Sequence, residues 1–127
     1  MSKMVLIVED ERLLARTLSK AMKEAGYKAV TVASAEQAEK QLGASHFDLL
    51  VLDNRLPRQT GLELLSQVRE SNEDMKVILM TAFDSKDVKS EARKLKVDRY
   101  LKKPFDLEKM LSHVTELIGG PEEEPAG

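Results

Sequence analysis

Cysteine is missing altogether. That excludes disulfides, thiolate metal sites and cysteine nucleophiles. Tryptophan is absent too, and aromatic residues make up only 4% of the chain, so rings to stack on a flavin are scarce. There is no long apolar run. The opening MSKMVLIVED holds a short one that ends in two acids. It is too short for a membrane span and too acidic at its end for a signal peptide, which makes a cytoplasmic location the expectation. No basic block appears, and the net charge is -2. Neither nucleic acid nor a membrane surface is therefore expected as a direct partner. What remains is 127 residues, 42% hydrophobic and 33% charged, the makeup of one globular domain.

Residues 5–8 form a continuous apolar, β-branched run, the pattern of a strand buried on both faces. A helix is expected over 11–25, where Leu14, Leu18, Met22 and Ala25 share one stripe. Gly26 is placed as its C-terminal cap, and Glu11 as an N-terminal capping acid. Residues 28–33 alternate and form a second strand. Ser34 caps a helix over 35–42. The second apolar run, 47–52, broken only by Asp48, ends on Asp53. Residues 54–60 hold Pro57 and polar side chains and make a loop. Leu62, Leu65 and Val68 mark a helix over 61–70. Residues 77–80 give the fourth strand, ending at Thr81. Asp84 and Ser85 cap a helix running to 95, and 97–101 is a short strand. A last helix covers 107–118, with Leu107, Leu111, Val114 and Ile118 inward.

Five βα units with short links demand a parallel sheet covered by helices on both faces. Right-handed crossovers leave few topologies, and five strands favour the doubly wound order 2-1-3-4-5. The domain is expected over 1–119, with 120–127 a mobile acidic tail or the start of a linker.

Ligands of such sheets bind beyond the carboxyl ends of the strands. Strand 1 ends in Glu9 and Asp10, strand 3 in Asp53 and strand 4 in Thr81, followed by Ala82; Lys102, Lys103 and Pro104 follow strand 5. One rim thus receives three acids, a hydroxyl and an ammonium. Carboxylates gathered so closely repel unless a cation joins them. Oxygen ligands without His or Cys suit a hard ion, Mg²⁺ above all, with Mn²⁺ as an alternative. A metal beside Asp53, with Lys103 and Thr81 on further oxygens, would neutralise and position an incoming phosphoryl group. Ala82 leaves that group room.

The set Glu9-Asp10, Asp53, Thr81-Ala82 and Lys103-Pro104, in this order on five βα units, resembles the receiver domain of two-component response regulators. The likeness runs from about residue 3 to 118 and implies the flavodoxin-like (βα)5 fold. It implies that Asp53 accepts a phosphoryl group from a sensor histidine kinase or phosphotransfer domain. Glu9 and Asp10 become metal ligands with Asp53, joined by the backbone carbonyl of Arg55. Thr81 becomes the switch hydroxyl, Tyr100 the switch aromatic and Lys103 the phosphate-pairing cation. A cis Lys103-Pro104 bond is implied as well. Arg55 and Phe83 take the places that tune phosphate lifetime. Leu13 and Thr17 fall where the kinase docks. Readout to an output, such as transcription, is expected on the face of the fourth helix, fifth strand and fifth helix, and a homodimer on phosphorylation is a further implied partner. Such a domain assists its own phosphotransfer and dephosphorylation but turns over no separate substrate.

Each residue also has a plainer reading. Asp53 could cap the following loop, Glu9 and Asp10 the first helix, and Thr81 could be an ordinary strand-end residue. His46 and His113 have no ligand spacing and are assigned to surface or packing. Lys96-Val97-Asp98 and Leu56-Pro57 depart from the family's common Gly-Ala-Asp and Met-Pro. A flavin-binding protein of the same fold would need a glycine- and hydroxyl-rich loop where Glu9-Asp10-Glu11 stands. An aspartyl phosphatase would need a second acid where Arg55 stands. A receiver acting by binding alone has no need of the complete set.

Overall fold

A computed structural model describes residues 2–121. Strands and helices alternate: β1 (Met4–Val8), α1 (Arg12–Glu24), β2 (Lys28–Val32), α2 (Ala35–Ala44), β3 (Leu49–Asp53), α3 (Gly61–Ser71), β4 (Lys76–Thr81), α4 (Lys86–Lys94), β5 (Arg99–Lys102) and α5 (Leu107–Ile118). The sheet order is β2-β1-β3-β4-β5, every pairing parallel. This is the expected flavodoxin-like, doubly wound arrangement.

Side-chain alternation along the strands divides the core in two. Leu6, Val8, Leu50, Leu52, Val77 and Leu79 face α2, α3 and α4. Val5, Ile7, Leu49, Val51, Ile78 and Met80 face α1 and α5. All five residues of β3 are buried. Each aliphatic side chain so buried contributes about 1.5–3 kcal/mol, so the strand that ends on Asp53 is firmly held.

Strand limits shift by a residue or two for identifiable reasons. β3 begins at Leu49 rather than 47 because Asp48 is turned back on β1: its carboxylate accepts from the Met4 amide at 2.8 Å, and its own amide donates to the Met4 carbonyl. β5 begins at Arg99 because Val97 closes α4 by donating to Ala92, while Asp98 accepts from the Val77 amide at 2.8 Å.

Caps follow the sequence with two corrections. Ser34 accepts from the Gln37 amide, and Thr60 with Glu63 forms a full capping box. Glu11 occupies the N-cap of α1, but its side chain caps nothing. Its amide donates instead to Glu9 Oε2 at 3.1 Å, satisfying a buried carboxyl. At α4, Ser85 alone caps, accepting from Val88; Asp84 is engaged elsewhere. Gly26 ends α1 at φ 97. The Gly26 amide bonds Lys23 and the Tyr27 amide bonds Met22, a Schellman closure. Lys96 closes α4 the same way at φ 59.

After α5 the chain returns to the base of the sheet. Tyr27 Oη donates to the Gly119 carbonyl at 2.7 Å, and the Lys3 amide to the Pro121 carbonyl at 3.0 Å. Of the expected tail, Gly120 and Pro121 are described; 122–127 lie outside the described residues. No helix of the described residues is long and apolar enough to cross a membrane.

Candidate functional site

Sheet topology brings β1, β3, β4 and β5 to one rim, and the polar residues that interrupt their apolar runs meet there. Asp53 is the last residue of β3, Glu9 follows β1, Thr81 ends β4 and Lys103 follows β5. Glu9, Asp10, Asp53, Arg55, Ala82 and Lys103 line a cleft of about 450 Å³. Glu9 and Asp53 are only 2% and 3% exposed, whereas Asp10 is open to solvent. The three carboxylates each offer an oxygen within 4.8 Å of the others, a donor set that could hold a metal and fits a hard cation.

Lys103 Nζ lies 2.6 Å from Glu9 Oε1 and 3.3 Å from Asp53 Oδ1. The Lys103–Pro104 bond is cis, and the Lys103 amide donates to the Thr81 carbonyl at 2.8 Å, tying the lysine's backbone to β4. Burial pushes the Glu9 carboxyl up to about 7, and the charge of Asp53 adds to this. The bonds from Lys103 and the Glu11 amide oppose it without cancelling it. Burial alone would lower the Lys103 ammonium, but its hydrogen bond to Glu9 and the charge of Asp53 overcome that and raise it. Both groups therefore hold protons more tightly than usual. One ammonium does not balance three acids.

Thr81 is buried, and its hydroxyl sits 3.0 Å from both the carbonyl and the amide of Phe83. Tyr100 is half-buried and donates its phenol proton to Asp84 Oδ1 at 3.2 Å. The Arg55 guanidinium lies over the Phe83 ring, 4.2 Å from its centroid. These two residues, from the connections after β3 and β4, thus meet at the cleft's edge, a contact worth about 0.5–1 kcal/mol at an exposed site.

The remaining sequence candidates lie apart from the cleft chemistry. Leu13 is 73% exposed on α1, with the Thr17 hydroxyl donating to its carbonyl. His46 pairs with Asp48 on the surface, and His113 Nδ1 accepts from Arg99 Nε; both have the surface or packing places expected. Sequence reasoning missed three features. Asp84 holds Tyr100 and is no helix cap. Gly61 packs directly on the backbone of Asp53. Arg69 donates to the carbonyls of Leu95, Asn72, Glu73, Met75 and Lys96. Only Gly61 carries a sequence signal: a glycine opening a helix after a polar loop.

Known proteins resemble this chain in sequence and fold. Residues 5–115 match the family model of the response regulator receiver domain. Identity is 37% over 114 residues with the transcriptional regulatory protein BasR of Escherichia coli (strain K12), covering 90% of this chain and 51% of that protein. It is 31% over 118 residues with the response regulator MprA of Mycobacterium tuberculosis (strain ATCC 25618 / H37Rv), covering 93% and 51%. The chain spans about half the length of these curated relatives. The solved structure of the response regulator protein TrrA from Thermotoga maritima, in complex with Mg²⁺-BeF, superposes with a TM-score of 0.82 at 30% identity, covering 91% of this chain and 98% of that one. A CheY-like receiver domain protein from Methanospirillum hungatei JF-1 gives 0.88 at 25%, covering 91% and 93%.

Proposed function

This chain belongs to the response regulator receiver domain family, and we propose that Asp53 is its phosphoacceptor. The observation that carries this is the convergence on Asp53: a buried strand-end carboxylate with Lys103 at 3.3 Å and two further acids beside it. An Asp53 carboxylate oxygen attacks the phosphorus of a donor, a phosphohistidine of a sensor kinase or phosphotransfer domain. The new O–P bond forms as the P–N bond breaks, and the leaving imidazole takes up a proton. Glu9, Asp10, Asp53 and the Arg55 carbonyl would hold Mg²⁺, or Mn²⁺, which when bound offsets the phosphoryl charge. Lys103 pairs with a phosphoryl oxygen and fixes its orientation. Ala82 leaves the space. Phosphoryl transfer asks mainly for such positioning and charge neutralisation.

Hydrolysis of the aspartyl phosphate follows in the same cleft, so the domain acts on itself and turns over no separate substrate. Arg55 and Phe83, stacked at the edge, limit the access of water and so set the phosphate's lifetime. Thr81 turns from Phe83 to a phosphoryl oxygen, Tyr100 moves inward behind it, and the α4-β5-α5 face changes. That face carries readout, including transcriptional control in a longer protein, and a phosphorylation-dependent homodimer. Leu13 and Thr17 contribute to kinase docking. The receiver unit is 1–119, with 120–127 an acidic tail or the start of a linker, and the protein works in the cytoplasm.

Incubation with Mg²⁺ and acetyl phosphate, read by intact mass, tests the acceptor. A single phosphate adduct is expected, and Asp53→Asn abolishes it. No adduct under any donor would sink the reading.

A further inference from the structure

Tyr100 is held by a cluster whose other members have no part in the acceptor chemistry. Its phenol donates to Asp84 Oδ1 at 3.2 Å, and Lys89 Nζ lies 3.3 Å from the same oxygen. The three side chains come from β5, the β4–α4 connection and α4. Asp84 is free for this because Ser85 caps the helix. Asp84 is an exposed residue although only 27% of its side chain is open to solvent, and Lys89 is about half exposed. The tyrosine is therefore held by a hydrogen bond to a charged acceptor.

The other end of the same short connection is held by Thr81. Its hydroxyl contacts both backbone polar groups of Phe83, and Phe83 directly precedes Asp84. A Thr81 hydroxyl that turns to an oxygen on Asp53 must give up both contacts. The backbone carrying Asp84 is then no longer fixed from β4, and the acceptor of the phenol bond loses its support.

We propose that Asp84 is a positioning residue for Tyr100, a latch that keeps the phenol at the β4–α4 connection until Thr81 leaves Phe83. The inference rests on reading Asp53 as the acceptor with Thr81 and Tyr100 as its switch, and it names what couples the two switch residues. The latch stabilises the unmodified state alone. Weakening it shifts the population toward the state that binds a phosphoryl group, and the affinity for a phosphoryl mimic rises in proportion. Losing one such bond corresponds to about fivefold.

Two readouts on the whole chain test this. The chain has two tyrosines, so 3-fluorotyrosine labelling gives one signal for Tyr100 and one for Tyr27 as an internal reference. Without any donor, Asp84→Ala moves the Tyr100 signal and leaves that of Tyr27 in place. Asp84→Asn, close in shape, serves if the alanine variant unfolds. In the second readout, beryllofluoride with Mg²⁺ is titrated as the phosphoryl mimic. Asp84→Ala lowers the half-saturating concentration about fivefold and has no effect in a Tyr100→Phe background. An unmoved Tyr100 signal, or an equal gain in the Tyr100→Phe background, overturns the latch. Failure of the wild-type chain to take beryllofluoride counts against Asp53 as acceptor instead, and the fluorine signal then decides the latch by itself.

Discussion

Gly61→Ala separates two lines of reasoning that differ in sign. Gly61 opens α3 and its backbone is not in the left-handed region. Helix propensity and chain entropy alone then predict that alanine stabilises, by about 0.4–1 kcal/mol. The packing predicts the reverse. A Cβ at this position would drive into the backbone carbonyl oxygen of Asp53, and would lie 3.0 Å from both Asn54 Cα and Leu52 Cγ. Two of these three obstacles are backbone, so no side-chain rotation relieves the overlap. The α3 entrance is also tied to the same segment: the Gly61 amide donates to the Asn54 carbonyl at 2.9 Å, and the Leu62 amide to Asn54 Oδ1 at 3.1 Å. Either the helix lifts and strains these bonds, or the end of β3 yields. Overpacking of this kind costs about 1–3 kcal/mol. With the strained bonds the expected net loss is about 3 kcal/mol, a fall in Tm of roughly 10 °C for a domain this size. The assay is thermal and urea unfolding of both proteins, with the acetyl phosphate adduct rate measured well below Tm. That rate should fall as well, since the displaced carbonyl belongs to Asp53, the proposed acceptor. A Gly61→Ala protein as stable as the wild type, or more so, would refute the close approach.

Other perturbations follow from single contacts. Arg69→Ala removes five bonds to carbonyls at the end of α3, the entry to β4 and the end of α4; a loss of about 3 kcal/mol in urea unfolding is expected, and less than about 1 kcal/mol would reject the staple. Lys96→Gly should stabilise by about 1 kcal/mol, since φ 59 is costly for lysine and free for glycine; an unchanged or lowered urea midpoint contradicts this. Glu9→Gln should change how stability depends on pH in the metal-free protein. The folded carboxyl is raised from 4.5 to about 7, so wild-type stability falls as pH rises through that interval and then levels, while the glutamine variant lacks this fall; parallel melting curves from pH 5 to 8 would dismiss the burial argument.

Much of the fold is legible because a parallel strand buried on both faces must be apolar throughout. Residues 5–8 and, after Asp48, 49–52 read as strands for that reason, and the acids that end them mark the rim. The stripe of Leu18 and Met22 on α1 is legible because burial on one helix face repeats every three or four residues. The site's corners are legible as interruptions of these patterns. Contacts between irregular segments are not. Arg69 bonds only carbonyls, and every residue carries one, so nothing in Leu95 or Lys96 announces the partner. Asp84 and Tyr100 are 16 residues apart, and Asp84 beside Ser85 reads as a cap until the geometry gives the cap to Ser85. Arg55 and Phe83 border the same cleft, yet their stacking depends on how two loops lean together, which no periodicity encodes.

Lys103 shows why the acid pair and the acceptor belong to one device. In this structure its ammonium is closer to Glu9 than to Asp53, 2.6 Å against 3.3 Å. The tighter bond goes to the group whose burial most disfavours a bare charge. Asp53 is thus the more loosely paired of the two, with the ammonium still within reach. A divalent cation among the acids would compete with Lys103 for Glu9 and weaken that hold. A phosphoryl group on Asp53, the proposed acceptor, would present new negative oxygens within reach of that ammonium. Burial makes an ionised Glu9 costly, and the 2.6 Å bond to Lys103 offsets part of that cost while it positions the lysine. Replacing Glu9 by an apolar residue would relieve that cost but leave Lys103 to Asp53, tying up the carboxylate proposed as the acceptor.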